Sequence, residues 1–406
     1  MTTNSLSRRR LFAAAGAAIG ATLTTSRNTA TVEAGNTNPN RSAKFSYCFN
    51  TSTIRGQKLT LDQEIEITAK AGYDAIEPWI DKINQYVENG GSLRDIHKRI
   101  SDLGLTVESA IAFSQWIVDD DAERAKGLEQ AKRDMDALAQ IGGRRIAAPP
   151  AGATKEAGLD LFKAAERYRV LLELGDSFGV VPQVEVWGFS KNLHRLGQSM
   201  FVVLESGHPK ACLLPDVYHI YKGGSDFSGL RLLSAQAIQV FHLNDYPADP
   251  QRDKITDRDR VYPGDGIAPL TQILRDLLAN GSRAVLSLEL FNPTCWKQDP
   301  LEVAKTGLSK MKAAVHKALD AHRQANSQPG QSSGVNGTTA VPAKASGPFS
   351  NQVTIDYKYV ASKNSQVFHK PDCRWAKEIS TQNLVGYDTR EQAIEAGKKP
   401  CRWCKP

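Results

Sequence analysis

Four side chains spread over about a hundred residues carry most of the chemical information in this chain: Glu185, Asp216, His242 and Glu289. Each closes a short apolar run, respectively QVEVWG, CLLPDVYH, IQVFHLND and VLSLELFN. Three carboxylates and one imidazole, delivered one per strand end, form the ligand set of a hard divalent cation that keeps open positions. That pattern predicts a metal-dependent enzyme rather than a simple binding module.

The elements that would position these groups follow from hydrophobic periodicity. Eight short apolar runs read as strands: 45–50, 74–79, 107–113, 144–149, 180–187, 211–217, 239–245 and 284–290. Amphipathic stretches fall between most of them, among them LDQEIEITAKAG, AERAKGLEQAKRDMDALAQIGG and PLTQILRDLLANG, each stopped by glycine. Eight strand–helix repeats in about 280 residues predict an α/β fold, a (β/α)8 TIM barrel over residues 44–323. An open doubly wound sheet would also alternate, but no GxGxxG follows the first strand. The candidate residues sit at strand C-termini, where a barrel builds its active site.

The net charge of +7 is unevenly distributed. Residues 1–34 hold four Arg against Glu33, residues 351–406 hold ten Lys or Arg against six acids, and residues 35–350 are neutral. A neutral catalytic body lacks the basic stripe of a nucleic-acid enzyme, so no nucleic-acid partner is expected. The basic start, SRRRLF at 7–12, resembles a twin-arginine export motif, and a mild apolar run follows to Leu23. That run falls short of the roughly 20 residues a membrane span needs. Residues 1–34 are therefore expected to be a Tat-type signal peptide, with export and no membrane span after processing. Residues 324–352 are rich in Ser, Gly, Thr, Ala and Pro, the composition of a flexible linker.

Residues 44–323 resemble the xylose isomerase-like TIM barrel superfamily, in the branch of sugar phosphate isomerases/epimerases that includes tagatose and psicose 3-epimerases and inosose-processing enzymes. The likeness rests on Glu185 closing the fifth strand, Asp216-x-x-His219 on the sixth, His242 on the seventh and Glu289 on the eighth. It implies that Glu185, Asp216, His242 and Glu289 bind one divalent metal, Mn²⁺ or Mg²⁺ by their oxygen-rich chemistry, and that His219 helps to hold substrate. A metal-chelated keto-sugar would lose a proton beside its carbonyl, with Glu185 and Glu289 as the catalytic acid–base pair. The expected activity is that of an exported sugar isomerase or epimerase working through an enediolate. A 3-keto-glycoside lyase or hydrolase, an abasic-site endonuclease of the same superfamily, and a catalytically inactive sugar-binding protein are the alternatives. Glu77, Trp79 and Trp187 are candidate sugar contacts. Asn244 and Asp245 either orient His242 or cap a loop, and YPGDGIAP at 262–269 resembles the family's Gly-rich loop. A homodimer is compatible with the sequence.

The last unit, 353–406, is too small for a generous core and calls for a staple. His369-x3-Cys373 and Cys401-x2-Cys404 supply four ligands for tetrahedral Zn²⁺. The segment resembles the metal-binding domain of the Ada DNA-repair protein, with one His in place of a cysteine, which implies a structural zinc site. An oxidised cysteine pair is the alternative for an exported chain. Cys48, Cys212 and Cys295 read as small core residues.

Overall fold

The computed structural model describes residues 45–327, 357–363, 365–377, 379 and 383–404. The expected signal at 1–34 lies outside the described residues, as does the expected linker beyond residue 327. The chain divides into two compact units on either side of residues 329 and 330. No helix among the described residues is long and apolar enough to cross a membrane.

The first unit is an α/β barrel of eight parallel strands: β1 (Ser46–Asn50), β2 (Ala75–Glu77), β3 (Thr106–Val107), β4 (Arg145–Ala148), β5 (Val181–Glu185), β6 (Leu213–Leu214), β7 (Val240–His242) and β8 (Val285–Leu288). Regular ladders join them in the orders β3-β2-β1-β8-β7 and β4-β5-β6. A pair of hydrogen bonds closes each of the two seams. Just beyond β3, Ala110 bonds twice to β4, its N donating to Arg145 O at 3.2 Å and its O accepting from Ala147 N at 2.9 Å. Between β6 and β7, Leu213 N donates to Ala237 O at 2.8 Å and His242 N to Pro215 O at 3.0 Å.

Two strands are much shorter than the apolar runs at 107–113 and 211–217 suggested. In the sixth, Pro215 has no N–H to continue a ladder and Asp216 turns the chain into a helix. Helices α1 (Leu61–Ala71), α2 (Ile80–Glu88), α3 (Leu93–Asp102), α4 (Asp121–Gln140), α5 (Leu161–Asp176), α6 (Leu196–Glu205), α7 (Val217–Lys222), α8 (Leu270–Ala279) and α9 (Pro300–Ser327) follow or separate the strands. The last runs four residues past the expected barrel boundary. The main core lies between strands and helices, whereas small residues such as Cys48, Ala75, Ala147 and Val240 form a separate cluster. Cys48, Cys212 and Cys295 are buried and free.

Local sequence explains the helix ends. Thr60 and Gln63 form a capping box at the start of α1, and Gly72, at φ +88°, ends it. Asp120 caps α4 by accepting from Glu123 N at 2.9 Å. The second unit is a four-stranded sheet in which β9 (Tyr359–Ser362) and β10 (Val367–His369) are central and antiparallel. β11 (Leu384–Tyr387) flanks β9, and β12 (Lys399–Pro400) runs parallel beside β10. Its buried side chains form two very small clusters.

Glu64 of α1 is the costly residue of this packing: it is buried, its Oε2 has no partner, and burial pushes its carboxyl up to about 8. The folded protein then holds a proton that the unfolded chain, with an ordinary carboxylate pKa of about 4.3, has released. Stability therefore falls as pH rises through that window and levels off above about 8. Glu64→Gln is expected to melt increasingly above wild type between pH 5 and pH 8, read as the difference in Tm; a difference independent of pH would refute it.

Candidate active site

The C-terminal ends of the strands deliver a ring of polar groups into one pit. Asn50 ends β1, Glu77 ends β2, Glu185 ends β5, His242 ends β7, and Glu289 follows β8. Register explains their convergence: Asn50 pairs with Glu77, His242 with Ser287, and an isolated bridge joins Asp216 to His242. Asp216 stands just beyond β6 as the N-cap of α7, its Oδ1 accepting from His219 N at 2.8 Å. The Asp-x-x-His spacing is thus the spacing of a helix cap and the first turn it caps. Glu77, Asp216 and His242 are fully buried, and Glu185, His219 and Glu289 are each 3% exposed.

His242 is the centre of this arrangement. Its Nε2 donates to Glu77 Oε2 at 3.0 Å, which fixes the ring and aims Nδ1 the other way. Nδ1 then lies 3.1 Å from Glu289 Oε2, 3.7 Å from Asp216 Oδ2 and 4.0 Å from Glu185 Oε1, without a hydrogen-bond partner. A lone pair facing three carboxylates needs a positive charge between them. A second proton on the ring is one solution: burial opposes it, but Glu289 and Glu77 hold His242 well above its usual pKa. A divalent cation is the other, and the donor set fits one, since ligand atoms of Glu185, His242 and Glu289 all lie within 4.8 Å of one another. Asp216 adjoins this trio while its Oδ2 is engaged by Asn244 Nδ2 at 2.7 Å and Arg260 Nη1 at 3.1 Å.

The two terminal carboxyls are driven apart electrostatically. Burial, and then the charge of Glu289, pushes Glu185 up to about 8. Burial would also raise Glu289, but His242 and Arg260 outweigh it and hold that carboxyl well below its usual range. Arg260 had no signature in the sequence, being one of several basic residues in the DKITDRDR loop, yet it is fully buried here. Its Nη1 binds Glu289 Oε2 at 2.8 Å as well as Asp216, and its Nη2 meets Asp257 Oδ1 and His219 Nε2. His219 Nδ1 in turn faces Gly188 N at 3.3 Å. Both ring nitrogens face N–H groups, and burial followed by the Arg260 charge keeps His219 neutral.

The pit opens into a cavity of about 240 Å³. Glu185, His219, Arg260 and Glu289 line it, as do Trp79 and Trp187. Glu77, expected as a sugar contact, does not reach it. Its Oε2 is taken by His242, by Ser287 Oγ at 2.6 Å and by Asn50 Nδ2 at 2.9 Å, so Glu77 positions His242 instead. Nor does Asn244 or Asp245 orient His242. Asn244 holds Asp216 and Tyr218 N, and Asp245 accepts from Gly264, Gly266 and Ala268 N to fold the 262–269 loop. A side chain on Gly266 would collide with Tyr246 O at 2.2 Å. Asn50 and Ser287 were missed, although a polar residue ending the first strand and another inside an apolar run were visible signals.

A second cluster occupies the C-terminal unit. Ligand atoms of His369, Cys373, Cys401 and Cys404 all lie within 4.8 Å of one another, and the three cysteines are free. Lys370 N and Trp403 N each point to a sulfur, Cys404 and Cys401 respectively, at 3.4 Å.

Comparison with known proteins agrees with this architecture. The inosose isomerase of Bacillus velezensis is 26% identical over 274 residues, which is 66% of this chain and 97% of that protein. A 3-dehydroshikimate dehydratase of Pseudomonas putida is 24% identical over 57% of this chain, but the match spans only 36% of that protein. A crystal structure of the IolI protein with a bound zinc atom shares the fold, with a TM-score of 0.63 at 23% identity over 68% of this chain and 99% of its own. The model of the xylose isomerase-like TIM barrel matches residues 65–314, and the chain belongs to that family.

Proposed function

We propose that the barrel is a metal-dependent isomerase or epimerase of a keto-sugar or keto-polyol. The observation that carries this reading is His242 Nδ1, buried without a partner among Glu185, Asp216 and Glu289. These four residues would hold the cation, Mn²⁺ or Mg²⁺ by the oxygen-rich donor set, which when bound would polarise a substrate carbonyl and stabilise charge on the adjacent oxygen. Glu289, held ionised, takes the proton from the carbon next to the carbonyl. Glu185, on the other side of the chelated substrate, returns one. Return to the same carbon is epimerisation; return to the neighbouring carbon is aldose–ketose isomerisation. Arg260, whose Nε–H has no partner, lines the same cavity, and His219 positions it by meeting its Nη2.

The similarity to an inosose isomerase supports this class of reaction. The dehydratase similarity supports a second reading, a lyase acting on 3-keto-glycosides, because elimination begins with the same proton removal beside a carbonyl. An endonuclease with a multi-metal cluster fits less well: among the described barrel residues one metal-ligating group converges. We also infer export through the residues 1–34 motif, and a structural Zn²⁺ on His369, Cys373, Cys401 and Cys404 that staples a unit with little core.

In D₂O, the manganese-loaded protein should place solvent deuterium on one carbon of a ketose or 3-keto-glycoside, read by NMR. Glu289→Gln should reduce that exchange by about 10²–10⁴-fold while the protein stays folded; retained exchange would end the assignment. Arg260→Gln leaves Asp216 and Glu289 uncompensated, a cost of about 3–5 kcal/mol, and should lower the Tm measured in chelator by roughly 10 °C. An unchanged Tm would show that the acids do not depend on this arginine. Metal analysis of the full chain should find zinc lost when Cys401 and Cys404 are both replaced by Ser; unchanged zinc content would remove the tail site.

A further inference from the structure

The catalytic cavity has an uncommonly aromatic rim and a neighbour. Trp79, Phe113, Trp187 and Phe189 form a continuous chain of ring contacts, with centroids 5.3 Å, 5.9 Å and 5.1 Å apart, and Phe291 meets Trp79 at 5.9 Å. Trp79 is locked in place: its Nε1 donates to Asn50 Oδ1 at 3.2 Å and the Arg55 guanidinium lies 4.0 Å from its ring centroid. Phe113 and Phe189 are 40% and 47% exposed, so the rim presents open aromatic faces. Trp79, Ile111 and Phe113, which line the catalytic cavity, also line a second cavity of about 340 Å³. Asn84, Gln130 and Asp134 line it, together with Arg55 and Asp81, whose charges are paired with each other. Asp134 is 4% exposed, and its Oδ2 has no hydrogen-bond partner. A buried carboxylate oxygen without a donor, at the edge of a cavity, is a place for a hydroxyl.

The charges are equally selective. Arg260 is the single Lys or Arg among the residues lining the catalytic cavity, and both of its Nη atoms are already engaged by Asp216, Glu289, Asp257 and His219. Glu185, Asp257 and Glu289 line the same space. A phosphate dianion would meet acids there and one spare N–H, a poor match for its charge.

We propose that the site takes an uncharged two-ring glycoside: the reacting keto-sugar in the catalytic cavity, and a second sugar ring across the Trp79–Phe113 wall. That ring would lay its C–H face on the aromatic pair and give a hydroxyl to Asp134 Oδ2. This deepens the isomerase or lyase reading above and rests on it for the chemistry, but not for the binding. An aromatic aglycone would use the same wall without using Asp134, which separates the two occupants experimentally.

The test is calorimetric titration of the manganese-loaded full chain with glucose, glucose 6-phosphate, phenyl glucoside and a panel of glucose disaccharides. At least one disaccharide should bind tenfold or more tightly than glucose, about 1.4 kcal/mol, with the phosphate ester weakest. Asp134→Ala and Phe113→Ala should each bring that ratio to within about twofold of unity. Tightest binding of the phosphate ester, no preference for any disaccharide, or a ratio insensitive to Asp134→Ala overturns the proposal. Phenyl glucoside matching the best disaccharide, with Asp134→Ala without effect, replaces the second sugar by an aromatic aglycone and also overturns it. Deuterium exchange into the matching 3-keto-glycosides is read separately: its absence beside an intact binding ratio overturns the isomerase or lyase reading and leaves the subsite standing.

Discussion

Charge balance in a solvent-free pit governs this molecule. Glu77, Glu185, Asp216 and Glu289 are withdrawn from water at the mouth of the barrel, and among the described residues Arg260 and His242 are the cationic groups paired with them. Burying one carboxylate without compensation is expensive, and burying four is tolerable only where each is paired or neutralised. The site manages this with graded solutions. Glu77 is held through Oε2 by His242, Ser287 and Asn50 while its Oε1 stays without a partner, Asp216 is held by Asn244, Arg260 and a backbone N–H, Glu289 by Arg260 and Asn50, and Glu185 retains its proton. A bound cation would relieve the same imbalance more completely, which is why the donor geometry and the electrostatics lead to one conclusion.

Rigidity makes such a cluster possible. Like charges a few ångströms apart would separate on a flexible loop, but parallel strands with paired registers cannot let them. The Asn50–Glu77 and His242–Ser287 pairings are backbone facts before they are side-chain contacts. Beyond this inner ring the chemistry changes character. Aromatic faces replace charges at the rim, and neutral His219 and the Arg260 Nε–H supply direction without adding negative charge. Such a surface suits the amphipathic faces of a sugar.

The C-terminal unit meets a different constraint. Among the described residues, four short strands and two clusters of a few residues bury little apolar surface to hold a fold by the hydrophobic effect alone. His369, Cys373, Cys401 and Cys404 draw β10, the turn before Arg374 and the segment after β12 to one point, as a cross-link would.

Much of this was legible along the chain, for physical reasons. Strands buried on both faces read as apolar runs, and helices between them as 3.6-residue periodicity, so eight repeats and a barrel followed. Strand ends carry function, so Glu185, Asp216, His219, His242 and Glu289 stood out by position and type, and the His–Cys spacing of the tail by its regularity. Direction was not legible. Glu77 looked like a sugar contact because it ends a strand, but which atom a carboxylate offers, and to whom, depends on neighbours distant in sequence. Ser287, 210 residues away, and His242, 165 residues away, turned it into a support for the imidazole. Arg260 was invisible for the same reason. A loop arginine acquires meaning only where the fold strips it of water between two acids, because desolvation belongs to the assembled tertiary structure and to no stretch of sequence.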